Sequence, residues 1–194
     1  MDSLGNASDH ALARRAGLGD EEAFSELFSR HFHPTYRYAL RMLNGEDDLA
    51  EDAVQDAWVK IWKHLPDFRG DSRVQTWMFS IVAREVLSAR RRRRPVVVSD
   101  STLEAVTGRD PALKSSLDPT LDPATGLRDK EMWQALTLAL AELPWRQRAA
   151  WLLREFEEMS YDEIARVLGT SVTVVRGQLH RARRALASRM EEWR

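Results

Sequence analysis

The stretch SYDEIARVLGTSVTVVRGQLHRARRAL, residues 160–186, predicts two short helices joined by a tight turn. Ser160 and Glu163 have the spacing of a capping box, the reciprocal pairing that starts a helix. Gly169 follows the apolar residues of this helix and can adopt the left-handed conformation that a sharp turn requires. Thr170 or Ser171 then caps a second helix. The segment is therefore a predicted helix-turn-helix, a motif whose second helix enters the major groove of DNA.

The second helix of this motif is predicted to have a buried stripe and an outward basic face. The stripe consists of apolar residues at helical spacing: Val175, Leu179, Ala182 and Leu186. The outward residues suit base edges and phosphates. The candidate DNA contacts are Ser171, Thr173, Arg176, Gly177, Gln178, His180, Arg181 and Arg184. The alternative interpretation is an ordinary helical hairpin with a solvated basic face.

A second basic segment lies far upstream of the motif. Arg90 to Arg94 form an unbroken run of arginines in a chain whose net charge is −1. Such a run is most often a solvated surface, because like charges repel one another. Two separate basic segments in an otherwise acidic chain, however, indicate a polyanion that is contacted at two places.

The rest of the chain is predicted to be helical apart from one long linker. One helix runs from the Ser8–Asp9 cap to Leu43, and Pro34 is expected to kink or divide it. Two more helices follow, one between Gly45 and Pro66 and one ending in the arginine run. Prolines, glycines and the absence of an apolar period predict a flexible linker over 95–129. The predicted fold class is therefore all-α, with two small helical domains, 1–94 and 130–194, on a long tether rather than in one compact body.

The sequence shows no pattern for catalysis, a cofactor or a metal. It has no cysteine, no phosphate-binding glycine loop and no zinc spacing. His31 and His33 lie two residues apart and point to different sides of a helix, so they are not expected to share a metal. No export signal and no apolar stretch of membrane-spanning length is found, which predicts a cytoplasmic chain without membrane insertion.

The whole chain resembles the extracytoplasmic-function (ECF) group of bacterial sigma factors, in the sigma-70 family. The resemblance is carried by GDEEAFSELFSRHFHPTYRYAL, AEDAVQDAWVKIWKHLPDFRGDS, TWMFSIVARE, LPWRQRAAWLLREFEEMSYDEIARVLG and LHRARRAL. It implies that residues 1–94 are region 2, which docks on core RNA polymerase and recognises and opens the −10 promoter element. Residues 130–194 are then region 4, which binds the −35 element as duplex DNA.

The resemblance also implies contact residues in region 2. For polymerase docking they are Asp52, Gln55, Asp56 and Trp58. For the −10 element they include a loop that captures a flipped base of the non-template strand, and the arginine run as its phosphate grip. This set is Arg69, Gly70, Asp71, Ser72, Arg73, Thr76, Trp77, Arg84, Arg90, Arg91, Arg92, Arg93 and Arg94. Without the family, the loop reads as a surface turn and Trp77 as a core residue.

Two features limit what the resemblance predicts. Arg84 stands where many members have Asn, and VVRGQ stands where they usually have TVKSR or similar, so the promoter consensus stays open. The family also implies a control partner, an anti-sigma factor, which the sequence does not identify. The alternative function is a free-standing helix-turn-helix regulator that binds duplex DNA alone. A pure protein adaptor is a third possibility, but it would have no use for an acid-free recognition helix.

Overall fold

The computed structural model describes residues 4–93 and 127–191, and within these ranges every regular element is helical. The helices are α1 (Asp9–Gly17), α2 (Glu21–Met42), α3 (Asp47–His64), α4 (Val74–Arg93), α5 (Leu127–Ala141), α6 (Trp145–Glu155), α7 (Tyr161–Leu168) and α8 (Val172–Arg189). Short 3₁₀ turns occur at Leu4–Asn6 and Leu65–Asp67. The all-α prediction is confirmed. Of the predicted linker, residues 95–126 lie outside the described residues, and Leu127 already begins α5.

Helices α1–α4 form the N-terminal domain around a common apolar core. The single helix predicted from Ser8 to Leu43 is in fact two, because Leu18 to Asp20 break it and Asp20 caps α2 by accepting a hydrogen bond from the Ala23 N–H. Pro34 does not divide α2. The helix stays continuous because packing against α1, α3 and α4 supports it on both sides of the proline. No helix in the described part of the chain is both long and apolar enough to cross a membrane.

Helices α5–α8 form the C-terminal domain and contain the predicted helix-turn-helix. Both halves of the Ser160–Glu163 capping box are present at the start of α7. Gly169 turns the chain with φ 61°, and the Ser171 side chain, rather than that of Thr170, caps α8 by accepting from the Val174 N–H. The local signals of residues 160–186 therefore predicted the motif correctly.

Gly169 and Gly177 are expected to respond to replacement by Ala in opposite ways. An alanine at residue 169 would have to hold a left-handed conformation, at a cost of roughly 1 kcal/mol. Inside α8, Gly177→Ala gains about 1 kcal/mol of helix propensity, and the new Cβ would meet only the flexible Arg181 guanidinium, at 3.4 Å. Urea unfolding followed by circular dichroism should show a lower free energy of unfolding for Gly169→Ala and a higher one for Gly177→Ala. A change of the same sign in both would contradict this account.

The two domains are packed against each other, contrary to the expectation of bodies held apart on a tether. Helix α4 lies on α7, and α2 contacts α5 and α6. The physical reason is a set of polar contacts between residues far apart in the sequence, which no local pattern indicates. We call these contacts, in which Arg73, Gln75 and Thr76 meet Glu157 and Glu163 and Arg148 meets the end of α2, the domain interface.

Candidate nucleic-acid interfaces

The outward face of α8 presents most of the predicted −35 contacts to solvent. Val175, Leu179, Ala182 and Leu186 are buried, as the periodicity predicted. The exposed residues are Ser171, Thr173, Arg176, His180, Arg181 and Arg184, and Gly177 is half-buried among them. Within residues 4–93 and 127–191, no acid pairs with Arg176, Arg181 or Arg184. These guanidinium groups are therefore available for a polyanion.

Gln178 was predicted to face outward, and this prediction is wrong. Its side chain is only 5% exposed. The reason is helical spacing, since Gln178 lies three residues after Val175 and four before Ala182, on the same face as these buried residues. Its amide is not available to a base edge.

Two other arginines of α8 pair with acids of the C-terminal domain. Arg183 donates to Glu155 at 2.9 Å, and Arg189 donates to Glu142 at 2.7 Å. The hydrogen bond to Glu155 also raises the pKa of Arg183. These exposed pairs join α8 to Glu142 and Glu155, so the arginines of α8 divide into two that pair with acids and an outward set.

The loop at 69–73 joins the 3₁₀ turn after α3 to the start of α4. Aromatic contacts flank it. Phe68 packs on Trp77 with ring centroids 5.1 Å apart and on His10 at 6.0 Å. Gly70 has φ 81°, and a Cβ there would come within 2.6 Å of the His10 Nε2 atom. The positive φ favours glycine at this position. Trp77 is half-buried against the core. It therefore packs partly as a core residue, and the rest of its side chain is exposed where the −10 contact was predicted.

The charged residues of this loop point away from the aromatic contacts. Arg69, Asp71 and Arg73 are exposed, and Ser72 is half-buried. Thr76, in contrast, is only 2% exposed, and its hydroxyl donates to Glu163 of α7 at 3.0 Å. Arg73 lies 3.6 Å from the same carboxylate. One side of the predicted −10 site therefore faces the C-terminal domain.

The arginine run occupies the last turns of α4, where cations offset the negative end of the helix dipole. Arg90 is half-buried, and Arg91 and Arg92 are exposed. Arg92 lies 3.6 Å from Asp56 in a pair that water largely surrounds, so this contact contributes little. The backbone of Arg93 is helical, and Arg94 lies outside the described residues.

Arg84, one residue of the predicted −10 set, is exposed on α4 about two turns before the run. Its guanidinium folds back along its own helix and donates to the Ser80 carbonyl at 2.8 Å. This hydrogen bond is to a solvent-accessible acceptor, so the side chain can exchange it for a phosphate at little cost.

The predicted polymerase-binding residues divide between surface and core. Asp52, Gln55 and Asp56 are exposed on one face of α3. Trp58 is only 4% exposed and donates its Nε1–H to the Thr35 hydroxyl at 3.2 Å. The prediction that Trp58 contacts a partner directly is wrong, because its spacing from Val54 and Ile61 places it in the core stripe.

The sequence analysis missed Val59, whose side chain is 52% exposed. Val59 lies four residues after Gln55 and three after Asp56, so it continues their exposed face. That spacing could have identified it, but an apolar residue in an amphipathic helix is usually expected inside.

The fold and these surfaces together define a class of protein: an all-helical DNA-binding chain with a helix-turn-helix domain and a second basic domain. Among the described residues, no cluster of His, Asp or Glu has the arrangement of a metal site. The family model for Sigma-70 region 2 matches residues 27–96, and that for Sigma-70 region 4 matches residues 133–186.

Similar proteins place the chain more closely. It is 30% identical over 187 residues to the ECF RNA polymerase sigma-E factor of Escherichia coli K12, covering 95% of both chains. It is 35% identical over 188 residues to the RNA polymerase sigma-H factor of Pseudomonas aeruginosa PAO1, covering 94% of both. The chain belongs to the ECF group of the sigma-70 family. It is an alternative sigma factor that directs RNA polymerase, and the free-standing regulator is not favoured.

Solved structures show the same fold. The structure of CnrH in complex with the cytosolic domain of CnrY has a TM-score of 0.69 and 25% identity, covering 96% of this chain and 99% of CnrH. The sigma factor RpoE of Bartonella quintana, in complex with the anti-sigma factor NepR, has a TM-score of 0.63 and 24% identity, covering 87% and 96%.

Proposed function

We propose that residues 1–94 act as sigma region 2, residues 130–194 as sigma region 4, and residues 95–129 as the linker between them. Region 2 docks on core RNA polymerase and reads and opens the −10 element, while region 4 binds the −35 element. The observation that carries this proposal is the outward face of α8, where unpaired arginines stand over a buried stripe behind a capped helix-turn-helix.

Region 4 would read duplex DNA with Thr173, Arg176, His180, Arg181 and Arg184 of α8. Arg can bond guanine O6 and N7 together, and the remaining cations suit phosphates. Ser171 and Gly177 lie on the same side, where a small residue lets the helix approach the groove closely. Gln178 is excluded from this set because it is buried.

Region 2 would offset the cost of opening the −10 element. Unstacking DNA costs roughly 1.4 kcal/mol per step. This chain can offset that free energy only by binding the separated strand. The loop at 69–73 offers exposed donors and acceptors to an unpaired base, with Trp77 beneath it. The arginine run then holds the strand's phosphates, and Arg84 adds one more cation on the same helix.

The exposed face of α3 would dock on polymerase. Asp52, Gln55 and Asp56 supply acids and an amide for a basic partner surface, and Val59 adds an apolar contact in the same row. Trp58 supports this face from the core rather than touching the partner.

Control and location follow from the family. We propose that an anti-sigma factor regulates the chain, since RpoE of Bartonella quintana was solved with one. The chain would act in the cytoplasm, where RNA polymerase works. The chemistry of transcription belongs to polymerase, so no catalytic residue, metal or cofactor is assigned to this chain.

The test of the proposed function is run-off transcription from fragmented genomic DNA of the source organism with core RNA polymerase, with and without this chain. Discrete new transcripts that require both proteins are expected, and their start sites give the promoter elements. Absence of transcripts and of a complex with core, together with site-specific duplex binding by the chain alone, would overturn the proposal.

Arg181 and Arg183 form a matched pair for the −35 contact. Arg181→Ala removes an outward guanidinium and is expected to lower transcription about tenfold, as loss of one base or phosphate contact does. Arg183→Ala breaks an exposed pair with Glu155, and an exposed pair contributes at most about 1 kcal/mol to folding, so transcription should change less than about twofold. Equal effects of the two substitutions in a titration of −35 duplex would contradict the assignment of the outward face.

A further inference from the structure

The C-terminal domain covers part of the proposed −10 site. Arg73 ends the loop at 69–73, Thr76 lies in the first turn of α4, and both contact the Glu163 carboxylate of α7. Thr76 is only 2% exposed in this arrangement. A DNA strand that used the Thr76 hydroxyl would have to displace Glu163, because a single O–H cannot donate to two acceptors at full strength. Glu163 also places a negative charge beside Arg73.

Glu163 is held in its ionised form at this position. Burial disfavours its charge, but hydrogen bonds from the backbone and side chain of Ser160 and from Thr76, together with the nearby charge of Arg73, lower its pKa. The carboxylate thus presents a fixed negative charge and acceptor oxygens to Arg73 and Thr76. A nucleic-acid strand offers these residues the same two features.

Arg148 supplies a second, separate anchor between the domains. This buried side chain of α6 donates to the Asn44 Oδ1 atom at 2.6 Å and to the carbonyls of Arg41 and Met42 at 3.3 and 3.4 Å. These carbonyls end α2, so the guanidinium also meets the negative end of a helix dipole. Nearby, the Arg41 guanidinium lies over the Phe156 ring at 4.2 Å.

Glu157 opposes closure at the same interface. It accepts a hydrogen bond from the Gln75 amide at 3.3 Å and has Arg37 and Arg41 nearby. Burial nevertheless raises its pKa, which means that its charged form is less favourable here than in water. The domain interface therefore contains one carboxylate whose charge favours contact and one whose charge disfavours it, as expected of an interface that opens.

We propose that the domain interface is autoinhibitory: in the closed chain, Glu163 occupies Arg73 and Thr76 in place of DNA, and region 4 must move away before region 2 reads a −10 element. This inference rests on the proposed −10 site. Any partner that binds the open form more tightly, such as core polymerase or the unpaired strand, then shifts the chain toward activity.

Two substitutions weaken the interface without removing a proposed DNA or polymerase contact. Glu163→Gln keeps the capping box, in which Gln can replace Glu, but puts an amide N–H₂ in place of the carboxylate oxygen that accepts from Thr76. Asn44→Gly removes an acceptor of Arg148, and the φ of 59° at this position suits glycine. Loss of one hydrogen bond to a charged group should raise the ratio of open to closed chain about tenfold, and the double variant about a hundredfold.

The readout is the affinity of the full chain for a labelled non-template oligonucleotide of its own mapped promoter, since apparent affinity rises in proportion to a small open fraction. Glu157→Gln is the matched control. It removes the unfavourable charge and keeps an amide for Gln75, so it is expected to weaken strand binding about threefold, the opposite direction. Because the chain has no cysteine, spin labels on Ser25→Cys and Ser188→Cys, both exposed, report the distance between the domains.

A longer inter-domain distance with tighter strand binding in the double variant would support the inference. Unchanged strand affinity in the double variant overturns it, whether or not the distance grows. The proposed function is judged separately with Arg69→Ala, which lies outside the interface and should weaken strand binding in every background. If Arg69→Ala has no effect, the −10 assignment fails and autoinhibition of that site fails with it, while transcription with core still tests the role as a sigma factor.

Discussion

Transcription by the reconstituted polymerase is expected to fall at least about a hundredfold when Arg91, Arg92, Arg93 and Arg94 are all replaced by Ala. Each phosphate contact adds a salt-dependent contribution to affinity, with a slope of about −0.7 against log salt for a single strand. Four lost contacts should therefore flatten the slope by about three. Arg90 is left in place because it is half-buried and its charge acts on Arg148. Promoter opening, measured by permanganate reactivity at several salt concentrations, gives both quantities.

A block of lysines at the same four positions is the control for charge. Lysine retains the positive charge but lacks the planar fork of arginine, so activity is expected to stay within about threefold if phosphate attraction is what the run supplies. An equal loss in the lysine variant would show that the arginines act through specific geometry. No loss in the alanine variant would mean that the run is the solvated surface that like-charge runs usually are.

The helix-turn-helix could be predicted from the sequence because its signals are local. The capping box of Ser160 and Glu163, the turn at Gly169 and the cap at Ser171 each act within four residues. Such signals survive in any tertiary context, since they satisfy backbone groups at helix ends that would otherwise lack partners. Helical periodicity, a different signal, predicted the buried stripe of α8 correctly.

The errors arose where residue type and helical position disagree. Gln178 was assigned to the surface as a polar residue and Trp58 by the family resemblance, yet their spacing puts both in buried stripes. Val59 is the reverse case, an apolar residue at an exposed position. In these helices position decided burial, because packing of the whole face outweighs the preference of one side chain.

The domain interface could not be predicted because its partners are remote in sequence. Thr76 and Glu163 are 87 residues apart, and Arg148 and Asn44 are 104 apart. Neither pair leaves a periodic pattern, and within LPWRQRAA nothing distinguishes Arg148 from its exposed neighbour Arg146. Glu163 was assigned only to its helix cap, although its Oε1 atom accepts a hydrogen bond from Thr76 of the N-terminal domain.

Arg148 shows how much such a contact contributes to stability. Only 6% of it is exposed, and burial together with the charge of Arg90 lowers its pKa to about 10, so it remains charged at neutral pH. Its guanidinium donates to Asn44, to two carbonyls at the end of α2 and to the Ala141 carbonyl. No carboxylate neutralises it in these contacts. Burying this cation is unfavourable, but its hydrogen bonds cap α2 and join the two domains.

Arg148→Met is expected to lower the free energy of unfolding of the full chain by about 3 kcal/mol. It leaves one buried and three partly buried acceptors without this donor. An unsatisfied buried group costs about 1–3 kcal/mol, and relief of the buried charge offsets part of the total. Arg146→Met, two residues earlier on α6 and exposed, is the matched control and should change stability by less than about 0.5 kcal/mol. Urea unfolding at neutral pH compares the two variants directly. If Arg148→Met lowered the free energy of unfolding no more than Arg146→Met, other donors would have to satisfy these acceptors. The guanidinium would then not be what holds region 4 against the end of α2.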